Sequence, residues 1–254
     1  MTTSPVAPEL DNLAPIKRQI DSDIDSLVAA LPDPEDLTPE QRRGIIARYS
    51  AVLEGNFIYW MTAAYLSVRS EEARPILIDN LREEIADCHP EMLRRFAVAA
   101  LAYPAEADAM AVRDDLTKVR TFLGRLQGVQ NVLTMGFFES YIQRFMSYLA
   151  DLAVAQGSTD LEYTDVHGVC DIAHSEGLLK ALSAEAAINP PDPAADLFEG
   201  VNKLRALIQT INGNRHCEHT CGLSGSVALH GGSCSRFPVR GAICPGTVKL
   251  SVHP

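Results

Sequence analysis

Only three histidines precede residue 213: His89, His167 and His174. Two of them share the segment Tyr163-Thr-Asp-Val-His167-Gly-Val-Cys-Asp171-Ile-Ala-His174, which sets His167, Asp171 and His174 at i, i+4 and i+7. At about 100° per residue, that spacing keeps all three within about 60° on one helical face. Two neutral imidazoles and a carboxylate converging from one face make half of a site for a borderline ion such as iron. The plainer alternative is a surface stripe on which each histidine caps or packs independently.

Two further donors lie in or beside apolar helices. Glu139 sits among Met135, Phe137, Phe138 and Ile142. Such an acid either faces solvent or is buried and compensated, because an uncompensated buried carboxylate costs several kcal/mol. Taken alone, the segment favours the solvent-facing reading. In Asn80-Leu-Arg-Glu83-Glu84-Ile-Ala-Asp87-Cys88-His89-Pro90, Glu84 and His89 are five apart, about 140° around a continuous helix, so one helix cannot aim both at one ion. Pro90 suits the start of a new helix, and a break at Asp87–His89 frees the imidazole to turn back toward Glu84. The alternative leaves Glu83 and Glu84 solvated and His89 as a cap.

In order, N-L-x-x-E…H, G-x-x-E in an apolar helix and H-x3-D-x2-H in a later helix resemble the haem-oxygenase-like diiron oxidases and oxygenases, over about residues 40–212. The resemblance implies a metal-ligand set of Glu84, His89, Glu139, His167, Asp171 and His174. It also implies two Fe ions between the central helices of one all-α bundle of about seven helices, with O2 as co-substrate. This chain departs from the family in the short gap between the first glutamate and its histidine, which leaves Glu83 or Asp87 as substitutes for Glu84. Members of the family act on amino acids, related amines and fatty acids in natural-product pathways, by N-oxygenation, desaturation, carbon–carbon cleavage or ring closure. On family breadth, a small amino acid or amine-bearing metabolite is expected ahead of a fatty acid. A free amino acid needs a cation for its carboxylate. Arg82, Arg144, Lys180 and Arg205 are within reach of the motif helices, and Tyr59, Tyr65, Phe137, Phe138 and Tyr163 are candidates for a pocket wall.

The elements that must carry these residues read as helices. Pro15 to Leu31 forms the first. Thr38-Pro-Glu-Gln41 is a capping-box start for a second that runs on to about Ser70. A third runs from near Pro75 to Asp87 and a fourth follows Pro90. Residues 105–127 carry more helix, and a long apolar helix spans about Gly128 to Ala155. Another runs from Thr159 or Asp160 to about Ala187, and a last one follows the NPPDP break. No stretch before residue 213 alternates with period two, so the fold class is all-α.

Composition bounds the rest. The 254 residues are 46% hydrophobic and 22% charged, enough for a core enclosing a small-molecule site. The net charge of -11 argues against nucleic acid or an anionic membrane as partner. No apolar run approaches the ~18 residues of a spanning helix, and the start lacks a signal-like h-region, so a cytoplasmic protein is expected. The expected partner is a small-molecule substrate, with a homodimer left open.

Charge divides the chain into a helical domain, 1–212, and a tail, 213–254. The first carries 18 Lys+Arg against 32 Asp+Glu, the second four against one. The tail also holds Cys217, Cys221, Cys234 and Cys244. Their spacing lacks the paired C-x2-C knuckles of a zinc site, so the Gly/Ser/Cys-rich composition reads as a flexible segment.

Other classes fit less well. A ferritin-like diiron protein needs two E-x-x-H pairs, which the domain lacks. Metal-free relatives on the same bundle, thiaminase-like or quinone-cofactor-synthesis enzymes, remain as an alternative, although Cys88 and Cys170 have no activating base nearby in sequence. A non-catalytic helical binding protein is the alternative from outside enzymology.

Overall fold

The computed structural model describes residues 13–213. Among them are nine α-helices and no strand: α1 (Ala14–Ala29), α2 (Pro39–Leu53), α3 (Asn56–Ser67), α4 (Ala73–Ala86), α5 (His89–Ala99), α6 (Glu106–Leu123), α7 (Gly128–Ala155), α8 (Glu162–Ile188) and α9 (Glu199–Ile211). A short 3-10 turn, Pro34–Asp36, joins α1 to α2. The tail and its cysteines lie outside the described residues.

The axis of the bundle is α7 packed along α8. A helix apolar on every side belongs at the centre of a bundle, and α7 buries most of its length, including Val132, Phe137, Phe138, Phe145 and Leu149. Around this pair, α4 and α5 lie against α8, α3 bridges α4 and α7, and α9 packs between α7 and α6.

Local signals explain several boundaries. Thr38 Oγ1 accepts from the Gln41 N–H at 3.2 Å and Gln41 Oε1 accepts from the Thr38 N–H at 2.8 Å, the reciprocal cap expected at the start of α2. The single helix expected to continue to Ser70 is instead two. Gly55, at φ 78°, takes a left-handed conformation between Leu53 and Asn56 that glycine adopts at little cost. The chain re-enters as α3 with Phe57, Trp60, Met61 and Ala64 buried. This added break divides one expected segment into two, so the described residues hold nine helices where the sequence segments number eight and the resemblance implies about seven.

No described helix is long and apolar enough to cross a membrane.

Candidate metal centre

Six buried side chains from four helices gather beside the α7–α8 axis. Glu84 comes from α4 and His89 from the first residue of α5. Glu139 comes from mid-α7, and His167, Asp171 and His174 share one face of α8.

Helix α4 stops at Ala86, Cys88 sits in the left-handed region at φ 56°, and α5 begins at His89. This joint turns the imidazole back, so that His89 Nδ1 stands 2.9 Å from Glu84 Oε1. The break expected from His89-Pro90 is therefore where the sequence places it.

Glu84, His89 and His167 form the first cluster, with a donor atom of each within 4.8 Å of the others. His167 Nδ1 lies 2.9 Å from the Tyr163 carbonyl. A carbonyl only accepts, so Nδ1 carries the proton and the bare Nε2 faces Glu84 Oε1 at 3.9 Å. The two imidazole rings meet edge-on, with centroids 4.5 Å apart.

The second cluster is Cys170, Asp171 and His174. His174 Nε2 is 2.8 Å from Glu83 Oε2, so an Nε2–H donating to that half-exposed carboxylate leaves Nδ1 as a bare acceptor. Nδ1 then faces Asp171 Oδ1 at 3.7 Å and Glu139 Oε1 at 3.8 Å. Both separations are too long for hydrogen bonds. They are close to the ~3.4 Å between donors that share one ion tetrahedrally at about 2.1 Å. Asp171 Oδ2 and His174 Nδ1 are buried without a hydrogen-bond partner, and buried polar atoms in folded proteins rarely stay that way. Acceptors facing acceptors across such gaps are the arrangement a cation resolves.

The electrostatics agree. Burial, then the neighbouring Asp171 and Glu84, push the Glu139 carboxyl well above the usual carboxylate range. Burial also lifts Asp171 to about 8. No Lys or Arg among the described residues forms an ion pair with Glu84, Glu139 or Asp171. Burial lowers His167 to about 4, so its imidazole is neutral and its lone pair free. His89 moves the other way, because the hydrogen bond and charge of Glu84 outweigh its burial.

Several expectations need correcting. Glu139 is not solvent-facing but 1% exposed, held by an Asn80 Nδ2–H that donates to Oε1 at 3.0 Å. Glu83 and Glu84 lie about 100° apart on α4, and each reaches a different histidine, Glu83 His174 and Glu84 His89. Of the cations considered for a substrate carboxylate, Arg144 pairs with Asp21 and Asp25, Arg205 with Asp23 and Arg82 with Asp79. Of the aromatic candidates, only Tyr163 lines the cavity beside the first cluster; Phe137 and Phe138 are core. The Tyr49–Tyr163 hydroxyl pair, 2.8 Å apart and buried behind His167, carries no sequence signal, because its partners are 114 residues apart.

Compared with known proteins, the chain matches no family model and no curated sequence.

Proposed function

We propose that this chain is an O2-dependent non-haem diiron oxidase or oxygenase acting on an amine-bearing small metabolite. The observation that carries the reading is that His174 Nδ1, buried without a hydrogen-bond partner, faces Asp171 Oδ1 and Glu139 Oε1 at 3.7 and 3.8 Å. Beside it lies the Glu84–His89–His167 cluster, supplying the donors for a second ion.

In this reading Glu84, His89, Glu139, His167, Asp171 and His174 hold two iron ions. The three carboxylates offset the cationic charge, and the three imidazoles fill positions without adding charge. The iron supplies O2 activation and one-electron chemistry that no side chain here can perform. The protein orients the donors. The Tyr163 carbonyl fixes the tautomer of His167, Glu83 fixes that of His174, and Asn80 holds Glu139. The apolar walls of the adjoining cavity exclude water. A thiaminase-like reading loses support, because burial, and then Asp171, which accepts from Cys170 Sγ at 3.2 Å, raise that thiol far above the usual range.

Anaerobic loading with Fe(II) tests the proposal. Two iron ions per chain are expected. Alanine at Glu139, His167, Asp171 or His174 should each lower iron content and abolish amine-dependent O2 uptake, with far-UV circular dichroism unchanged. Comparing parent with variants counts the iron in the bundle whatever Cys217 to Cys244 hold. Iron below one per chain in the parent retires the diiron reading.

A further inference from the structure

Cys170 stands at the edge of the ligand face of α8, three residues after His167 and four before His174. Around the helix it lies about 60° from His167 and about 40° from His174. Two donors four residues apart are the spacing by which one helix chelates an ion. Its Sγ–H donates to Asp171 Oδ1 at 3.2 Å. Donor atoms of Cys170, Asp171 and His174 all lie within 4.8 Å of one another. A sulfur and an oxygen bound to one ion, at about 2.3 and 2.1 Å, stand about 3.1–3.6 Å apart. Beside Sγ, Asp171 Oδ2 and His174 Nδ1 are buried without a hydrogen-bond partner, in side chains 0% and 8% exposed. A thiol is a weak donor, yet its bond is the one hydrogen bond that the Asp171 carboxylate receives among the described residues.

Two divalent ions bring four positive charges, and Glu84, Glu139 and Asp171 return three. Glu83, on the far nitrogen of His174, is half-exposed and screened by water. A net charge left in a buried site is costly, and one more anionic donor removes it. We infer that Cys170 is a seventh metal ligand, binding as a thiolate the ion held by Asp171 and His174. Coordination breaks the Sγ–H bond and forms an Sγ–metal bond, and the proton leaves to solvent. Cys170 is only partly buried, which gives that proton a way out. This rests on the proposed two-ion site and adds a sulfur donor outside the set of six. The two ions then differ: one has nitrogen and oxygen donors alone, the other an anionic sulfur that stabilises its oxidised form.

The test uses Co(II) in place of Fe(II), on the full chain with Cys217, Cys221, Cys234 and Cys244 replaced by serine. Two Co(II) should bind, with a near-ultraviolet sulfur-to-cobalt charge-transfer band that nitrogen and oxygen donors cannot give. Cys170→Ser should remove the band. It should also weaken Zn(II) binding at least about tenfold and Mn(II) binding less than about threefold, because thiolates select softer ions. A residue that only packs would weaken both ions alike, and that result overturns the proposal, as does a band that survives Cys170→Ser. Two bound Co(II) with no such band overturns the Cys170 assignment and leaves the two-ion site standing. No bound Co(II) retires both.

Discussion

Glu139 and Glu185 are both acids with almost no exposure, yet their surroundings differ in kind. Glu185 Oε2 accepts from the Arg69 and Ser70 backbone N–H groups at 2.7 and 2.8 Å, and Oε1 accepts from Asn189. It is a satisfied structural anchor for the chain entering α4. Glu139 has one donor, from Asn80, and Asp171 among its neighbours. Without metal, the raised carboxyls of Glu139 and Asp171 stay protonated in the fold at pH values where the unfolded chain has released those protons. Stability of the metal-free protein should therefore fall as pH rises from about 4, the ordinary carboxylate value, through about 8, where Asp171 titrates. Glu139→Gln should flatten that slope in thermal melts from pH 5 to 8 and should also shrink the rise in Tm that Fe(II) produces. An equal slope in both proteins would show that Glu139 is already compensated. The α8 donors were legible in sequence because helical periodicity alone aligns them. The burial of Glu139 was not, since an acid in an apolar run reads equally well as the polar edge of a helix.

At the scale of elements, the sequence showed where a helix must be interrupted when proline marked the place, as at His89-Pro90. It concealed the break at Gly55, because an isolated glycine in a helical pattern is usually tolerated. Gly200, in the first turn of α9, is a different case. A Cβ there would lie 2.1 Å from Thr134 Oγ1 and 2.3 Å from the Phe122 ring, so α9 approaches α7 and α6 as closely as a bare backbone allows. Gly200→Ala should cost about 2 kcal/mol or more through overpacking, seen as a drop of roughly 5 °C in Tm. Iron stoichiometry should hold, since α9 supplies none of the six donors. A Tm within a degree of wild type would mean that α9 can shift outward freely.

At the scale of the described residues as a whole, several arginines tie together segments far apart in sequence. Arg43 pairs with Asp108, Arg144 with Asp21 and Asp25, Arg205 with Asp23 and Arg125 with Glu199. Glu84, Glu139 and Asp171 are left without such partners, so the acidic surplus visible in composition includes a buried share at the centre. Composition reveals the surplus but not its location, because pairing depends on which distant helices meet.

The turn at Cys88 closes a six-residue loop, Glu84 to His89, whose ends already touch in the folded chain. Short loops cost little entropy to close, and here folding has already closed this one, so the two donors face an arriving ion at high effective concentration. In the other cluster His174 Nδ1 stands farther from its neighbours, 3.7 Å from Asp171 Oδ1 and 3.8 Å from Glu139 Oε1. Occupancy should therefore be sequential. With less than one equivalent of Co(II), the ring-proton resonances of His89 and His167 should shift before those of His174. Simultaneous shifts, or His174 first, would mean that the turn confers no head start.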